Sequence, residues 1–494
     1  MNRLEELRQE LDGLDRQLVE LLCARMECSA RVAGFKKESG GPVLVPEREK
    51  ALLEKLRAQA GDGYVEALDQ VYRAILSASR KIQKEKGCGV YGLIGEKLGH
   101  SFSPALHRKL GDYSYRLFEL KPDELGDFLR TAGFDGLNVT IPYKKAVMEY
   151  CSDLTDQARR IGSVNTIVRR PDGTLLGHNT DYDGFCWLLR SAGAEVQGKK
   201  CLVLGSGGAS LTVQTVLRDW GAGQVVVISR SGEHNYANLS RHADAQLLVN
   251  TTPVGMYPNT GESPVDLDLF PKLEGVFDLI YNPAGTELLL AAEDRGINCR
   301  GGLGMLTAQA KAASERFMDR ARPDSCVEQI CKELERETKN VTLIGMPGCG
   351  KTSIGRVLAE KLDRPFLDLD EELEKRAGRT IPDLFREQEE EVFRQLEHEV
   401  LCDAAKGSGM VIATGGGVVT RRENNHPLRQ NSTLVWIRRE LRELPVQGRP
   451  ISQKQDPETL YRSRKPLYEE LAELTVENIG IEETAEEIIR RMKL

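Results

Sequence analysis

The sequence predicts a multidomain chain, an all-helical N-terminal unit followed by two α/β units, on three observations. At 494 residues it is long enough for about three domains of roughly 150 residues each. Apolar residues recur at 3-4 spacing from Leu4 to Leu21, the period of an amphipathic helix. From about residue 90 onward short β-rich runs alternate with helical stretches, the βα pattern of a parallel sheet, and the pattern starts afresh at Val341.

Composition narrows the function classes. The chain is 40% hydrophobic and 29% charged, with a formal charge of -7, which excludes a nucleic-acid binder that relies on a strongly basic surface. Apolar runs such as 288–292 and 410–413 fall well short of the roughly 18 residues that span a bilayer. The chain opens on a charged helical pattern, not a signal peptide, so a cytoplasmic location is expected. Its eleven cysteines contain no C-x-x-C pair, and no histidine stands beside them in ligand spacing. Reduced thiols and no structural zinc follow. There is no internal repeat and no low-complexity tract.

In chain order, Leu4, Leu7, Leu11, Leu14, Leu18 and Leu21, continued by Cys28, Val32 and Phe35, predict one helix of about 35 residues that ends before Gly40-Gly41-Pro42. At 1.5 Å per residue it is roughly 50 Å long. Two further helices are expected over about 46–60 and 64–83, then a charged linker over 84–89. Strands are expected at 90–94, 136–141, 200–204 and 224–229, a closing helix at 326–338, and a new strand at 341–344.

The first helix alone would fit a coiled coil or a dimerisation arm. Arg25, however, occupies a core position of the leucine stripe, and a charge there requires an anionic partner. Lys36 lies eleven residues on, about 20° around the helix, so both cations can face one pocket; Ser79 and Gln83 share a face of the third helix. Residues 3–84 resemble the all-helical chorismate mutase family, with Arg8, Arg25, Lys36, Arg48, Glu49, Ser79 and Gln83 in register. The resemblance implies an intertwined homodimer in which Arg8 enters the partner's pocket. It makes Arg8, Arg25, Arg48, Glu49 and Ser79 substrate contacts, with Lys36 and Gln83 as the catalytic donors to an ether oxygen that gains negative charge. Val45 stands where the family often has an aspartate. The rival reading is a regulatory module that binds the same ligand without turning it over.

In the central segment Gly205-Ser206-Gly207-Gly208-Ala209 follows a predicted strand and opens a helix, the placement of a dinucleotide-binding βαβ unit. The next strand ends at Ser229-Arg230-Ser231, and Arg230 where an acid would meet a ribose favours a 2′-phosphate, hence NADP(H). Six motifs stand around the loop: His100-Ser101-Phe102-Ser103-Pro104, Asn138 to Lys144, Val164-Asn165-Thr166, Asn179-Thr180-Asp181, Asn250 to Met256 and Gly304 to Gln309. Residues 89–337 thereby resemble shikimate dehydrogenase. The resemblance implies that Ser101, Ser103, Thr140, Asn165, Tyr281 and Gln309 contact substrate, that Lys144 and Asp181 are the catalytic pair, and that Gly205, Gly207, Gly208, Ala209 and Arg230 bind cofactor. A developing alkoxide needs a cationic acid, which Lys144 supplies. One departure is the short stretch from Arg230 to Asn250, where the family carries a further helix and strand and where His234 stands near the position of a second basic residue. A quinate-oxidising NAD enzyme is the alternative.

In the last segment Gly345-Met346-Pro347-Gly348-Cys349-Gly350-Lys351-Thr352 lies between a predicted strand and helix, as a phosphate-binding loop must. Gly348, Cys349, Gly350, Lys351 and Thr352 would hold the nucleotide, with Thr352 on Mg²⁺. Asp368-Leu369-Asp370, Phe393-Arg394, Gly415-Gly416-Gly417, Arg449-Pro450 and Arg464 to Tyr468 follow in order, and residues 339–494 resemble shikimate kinase. The resemblance implies that Asp370 orients a diol, that Arg394 and Arg464 hold a carboxylate, and that Gly416 and Gly417 let backbone approach the ring. Asp368 would help hold Mg²⁺, while Lys351 and Arg449 act on the phosphates in catalysis. Glu389 departs from the family's usual glycine.

The expected organisation is a helical mutase domain at 1–86, a two-lobed α/β dehydrogenase at 89–337 and an α/β P-loop kinase at 339–494. The dehydrogenase divides into a substrate lobe (about 89–190), a Rossmann-like cofactor lobe (about 191–300) and C-terminal helices to 337. The expected cofactors are NADP(H), ATP and Mg²⁺. The expected partners are the small molecules 3-dehydroshikimate, shikimate and chorismate and a second copy of the chain, with no nucleic acid and no membrane.

Overall fold

The computed structural model describes residues 3–61, 63–99, 101–387, 390–444 and 456–494. Two compact units make up the chain. The first holds residues 1–190, 211–219 and 304–330, the second 191–210, 220–303 and 331–494. The division falls inside the central α/β segment.

The first unit begins with three helices, Arg3–Ser39, Pro46–Gln59 and Val65–Glu85. Glu5 and Glu6 sit in the first turn of the long helix and Lys36 and Lys37 in its last, where each charge complements the helix dipole. Gly40 follows at φ +68, a left-handed stop that glycine tolerates without strain. Pro46 opens the second helix at a position with no amide to lose. The expected core stripe behaves differently from its pattern. Leu4, Leu7, Leu11, Leu14, Leu18 and Leu21 are 49 to 69% exposed, and Ala33 is the buried residue of the helix. A 3-4 apolar repeat reports a face that needs covering, not which chain covers it.

The helices join a six-stranded sheet, ordered β2-β1-β3-β5-β6-β4. Its strands are β1 (Tyr91–Gly95), β2 (Tyr115–Glu119), β3 (Gly136–Val139), β4 (Asp153–Leu154), β5 (Thr166–Arg169) and β6 (Leu175–His178). β1 pairs parallel with β2 and β3, but β5 lies antiparallel to both β3 and β6. The parallel pairing expected from the βα alternation holds for β1 with β2 and β3 and for β4 with β6, and β5 adds an antiparallel strand that makes the sheet mixed. A tight turn at 170–174, with Gly173 at φ +88 and the Arg170 amide donating to the Thr174 carbonyl at 2.8 Å, joins β5 to β6. So short a link permits only antiparallel pairing. Asp135, 4% exposed, ties the helices to this sheet. Its carboxylate accepts the amides of Val43 (3.0 Å), Leu44 (3.2 Å) and Val90 (3.0 Å). On the helix Leu303–Met318, the Phe317 carbonyl accepts from Lys84 at 2.8 Å.

The second unit has two five-stranded sheets, each wholly parallel. One, ordered β11-β10-β9-β7-β8, comprises β7 (Lys200–Leu204), β8 (Gln224–Ile228), β9 (Leu247–Asn250), β10 (Gly275–Asp278) and β11 (Asn298–Arg300). The chain runs from β7 to β8 and then returns to β9 on the other side of β7, which makes a switch point at the end of β7. The short stretch after Arg230 keeps a strand, β9, preceded by one 3-10 turn, Tyr236–His242. The other sheet, ordered β13-β14-β12-β15-β16, comprises β12 (Asn340–Ile344), β13 (Phe366–Asp368), β14 (Val411–Ala413), β15 (Ser432–Arg438) and β16 (Leu474–Glu477). Its core includes Leu343, Leu358, Val411, Leu434 and Ile488. Helix Glu287–Asp294 of the first sheet packs on helix Asn425–Arg429 of the second. Among the described residues no helix is long and apolar enough to cross a membrane, and each of the eleven cysteines is free.

Candidate functional sites

The helical site forms where the long helix meets the third. Arg25 Nη1 donates to Ser79 Oγ at 2.5 Å, and Lys36 Nζ donates to the Val43 carbonyl at 2.8 Å. Among the described residues Arg25 meets a neutral hydroxyl and no carboxylate, so the anionic partner its position calls for is left to a ligand. Burial pushes the Lys36 ammonium below its ordinary range, opposed chiefly by the negative charge of Asp135. Gln83 is buried and, among the described residues, its Oε1 has no hydrogen-bond partner, a cost that a ligand donor would relieve. Glu49 accepts from Arg80 at 2.6 Å, a partner the sequence reading did not name. Arg8 lies on the exposed N-terminal half of its helix, away from this cluster in the sequence of turns.

In the mixed sheet, the strand-end motifs bring Lys144, Asp181 and Asn165 together. Lys144 Nζ lies 2.6 Å from Asp181 Oδ2, and Asn165 Nδ2 donates to Asp181 Oδ1 at 2.8 Å. Asn165 is itself held, since its Oδ1 accepts the Thr180 amide at 2.6 Å. Asp181 therefore has both oxygens committed and fixes the ammonium in place, the arrangement expected of an oriented general acid. Ser101 Oγ accepts the Ser103 amide at 3.2 Å, and the Thr140 amide donates to Ile94 at 3.0 Å. Gln309 Nε2 donates to Leu306 one turn back at 2.8 Å. Tyr281 belongs to the second unit. Asn138, which lies in a quoted motif but was given no role, accepts from the Tyr115 hydroxyl at 2.8 Å and donates to Thr166 at 3.1 Å.

The switch point after β7 carries the glycine loop. Gly205 has φ +100, and a Cβ there would meet Thr251 Oγ1 at 2.9 Å, so glycine is required. Gly207 and Gly208 have open space where a Cβ would be, room for a pyrophosphate to approach backbone. Arg230 is exposed and, among the described residues, makes no hydrogen bond or ion pair, so its guanidinium can meet a phosphate. His234 Nδ1 instead lies 3.2 Å from His242 Nε2. The residues fit a dinucleotide bearing a 2′-phosphate.

The phosphate loop after β12 has three glycines at positive φ, Gly345 (145), Gly348 (85) and Gly350 (105), a backbone of the kind that anion-binding loops use. Lys351 Nζ donates to the Gly345 and Met346 carbonyls at 2.9 and 3.1 Å. Thr352 Oγ1 donates to Asp368 Oδ2 at 2.6 Å, while Asp368 Oδ1 accepts the Asp370 and Glu371 amides. This hydroxyl-carboxylate pair is a hard oxygen donor set that fits Mg²⁺.

A cavity of about 520 Å³ adjoins the loop and is lined by Asp370, Arg394, Gly416, Gly417 and Arg464, together with Glu397. Burial raises the Asp370 carboxyl to about 6, with Lys351 pulling it down. Arg394 Nη1 donates to Glu397 Oε2 at 2.7 Å, and Arg464 Nη1 and the Tyr468 hydroxyl donate to the Gly416 carbonyl at 2.9 and 2.6 Å. A Cβ on Gly416 would strike Pro347, and one on Gly417 would strike the Arg394 guanidinium. Two arginines thus line one cavity beside two close-packed glycines, chemistry suited to a planar carboxylate. Glu397 was missed by sequence reading, although its i,i+3 spacing from Arg394 was a usable signal. Arg439, also on the cavity wall, stood in no quoted motif. Arg449 and Glu389 lie outside the described residues.

Nucleotide-dependent chemistry on small anionic substrates is the class these folds and sites define, beside a separate helical site. Family models match at three places. That for shikimate kinase covers residues 347–493, that for chorismate mutase type II residues 7–84, and that for the shikimate dehydrogenase substrate binding domain residues 93–167. A shikimate dehydrogenase (NADP(+)) of Clostridium beijerinckii is 35% identical over 268 residues, which are 50% of this chain and 99% of that protein. The enzyme of the same name from Clostridium perfringens strain SM101 is 38% identical over 267 residues, 50% of this chain and 98% of its own. Among solved structures, a chorismate mutase/shikimate 5-dehydrogenase fusion protein from Clostridium acetobutylicum is 39% identical, covers 50% of this chain and 96% of its own, and has a TM-score of 0.48. The chain belongs to the shikimate dehydrogenase family, and it carries a chorismate mutase type II region before that domain and a shikimate kinase region after it.

Proposed function

We propose that this chain is a trifunctional shikimate-pathway enzyme that reduces 3-dehydroshikimate, phosphorylates shikimate and rearranges chorismate to prephenate, with domains at 1–86, 89–337 and 339–494. The observation that carries the reading is the Lys144–Asp181–Asn165 cluster, a cationic acid oriented at 2.6 Å by a fixed carboxylate. When bound, NADPH supplies the hydride and ATP with Mg²⁺ the phosphoryl group. Lys144 stabilises and protonates the alkoxide as the ketone is reduced. In the kinase, Asp370 orients the substrate hydroxyl, Arg394 and Arg464 fix the carboxylate, and Thr352 with Asp368 holds the metal. In the mutase, Lys36 and Gln83 face the ether oxygen, and Arg25 holds a substrate carboxylate. The exposed guanidinium of Arg230 supports NADP over NAD. The location is cytoplasmic, and the half-exposed leucine stripe supports a homodimer built on the long helix, with Arg8 reaching the partner's pocket.

Three separate activity assays on the intact chain test the reading. Lys144→Ala lowers dehydrogenase kcat by about 10² to 10⁴ and leaves kinase turnover unchanged; loss of both activities would refute independent sites. Chorismate binding without turnover would make the helical domain a regulatory module, and a preference for quinate with NAD would overturn the dehydrogenase assignment.

A further inference from the structure

We propose that the kinase domain is a positioning element for the dehydrogenase, holding the segment that carries Tyr281 through His426, Arg429, Gln430 and Asn431. The proposal rests on the reading of Tyr281 as a substrate contact. Tyr281 lies between Asp278, the last residue of β10, and Thr286, the N-cap of the helix Glu287–Asp294. Both ends of this segment converge on one buried carboxylate. Asp278 accepts from the Ile280 amide at 3.0 Å, from Asn250 Nδ2 at 3.0 Å and from Thr286 Oγ1 at 2.7 Å. The Asn282 carbonyl accepts the Tyr257 amide at 3.1 Å.

Within the cofactor lobe the Leu279 amide also donates to the Asn250 carbonyl at 3.0 Å and the Gly302 amide to the Ile280 carbonyl at 2.8 Å; further support comes from the kinase. The Ala284 amide donates to Asn431 Oδ1 at 3.1 Å and the Gly285 amide to the Gln430 carbonyl at 2.7 Å. A Cβ on Gly285 would lie 3.4 Å from Gln430 Cα, so the two backbones are in close contact. The helix that follows is gripped from the same side. His426 spans Glu287 (2.7 Å) and Asp294 (2.8 Å), and Arg429 pairs with Asp294 (2.6 Å) and Glu293 (2.8 Å). None of these four kinase residues lines the phosphate-loop cavity, so neither kinase binding nor kinase chemistry accounts for the contacts. Without them, two consecutive amides would return to water and the segment would lose its outer anchor, whereas hydride transfer tolerates only small displacements of a substrate contact.

The test uses full-length chain carrying Tyr281→Phe, Asn431→Ala, their combination, Asn431→Asp, and the double variant His426→Ala with Arg429→Ala. Asn431→Ala and the double variant are expected to raise the dehydrogenase KM for 3-dehydroshikimate about tenfold with kinase kcat/KM unchanged. Tyr281→Phe combined with Asn431→Ala should cost less than the two effects added together, and Asn431→Asp, which keeps the acceptor oxygen, should restore KM. Should Asn431→Ala lose kinase activity as well, the surface pair His426 and Arg429 decides the matter. Unchanged KM in that pair, with Tyr281→Phe impaired, overturns the proposal. A Tyr281→Phe chain with wild-type kinetics would instead refute the reading of Tyr281 and the proposal with it.

Discussion

The helical domain joins the mixed sheet in a different manner from that in which the cofactor lobe joins the kinase. The first joint centres on one buried acid, Asp135, whose carboxylate takes three backbone amides; the ion pair beside it, Lys37 with Asp112, is exposed and adds little. The second is a layer of side-chain ions, His426 and Arg429 against Glu287, Glu293 and Asp294, with acid exposures of 30 to 51%, backed by two backbone hydrogen bonds. A buried acceptor is costly to remove and indifferent to salt, because its donors have no water to fall back on. Solvent-facing ions are individually weak, screened and adjustable. One chain thus uses a fixed joint and a tunable one.

The largest effect that would sharpen this contrast is Asp135→Ala. Stranding three buried amides at about 1 to 3 kcal/mol each should destabilise the first unit by more than about 3 kcal/mol in denaturant titration. Mutase turnover should fall with it, because the Val43 carbonyl that receives Lys36 sits on the same loop. A loss under about 1 kcal/mol would remove the distinction between the joints. Arg429→Ala comes next, with an expected cost of about 1 kcal/mol at low salt that fades towards 1 M salt, where the Asp135→Ala deficit should persist. If both deficits respond to salt alike, the comparison fails.

The smallest effect is a pH dependence. The hydrogen bond to Glu287 chiefly, and then that to Asp294, raises the His426 imidazole above its ordinary 6.5, against burial; Arg429 shares Asp294 and pairs with Glu293. A raised folded-state value means that the stabilisation is fully present below about 6.5 and disappears as pH climbs through the higher folded value. The melting-temperature gap between wild type and His426→Ala should therefore narrow from pH 6 to pH 9. A gap that widens would show that the neutral ring carries the joint.

Elements with a strong local period were readable. The long helix, the strand at 200–204 and the phosphate loop fall where spacing and glycine placement put them. Lys144 and Asp181, paired on the strength of the family motifs, do lie together, and Asn165, expected only as a substrate contact, joins them on Asp181. Nothing local distinguishes Asp135 from a surface aspartate beside Gly136, since its three donors come from residues 43, 44 and 90. His426 is equally silent, with partners more than 130 positions upstream. The antiparallel β5–β6 pair was missed because the βα rhythm outweighed a Pro-Asp-Gly turn at 171–173 that was present to be read. The leucine stripe was recognised as apolar, but one sequence does not say that its six leucines stay half-exposed within a single chain.

Asp135 also bears on ancestry. In a relative that begins near residue 89, two of its three donors would be missing, and the carboxylate would retain only the Val90 amide. Selection for an acid at that site would then relax, and the position would drift among homologues that stand alone while staying acidic in those that carry the helical domain. An acid retained just as often in stand-alone homologues would show that the helical domain is not what holds this position.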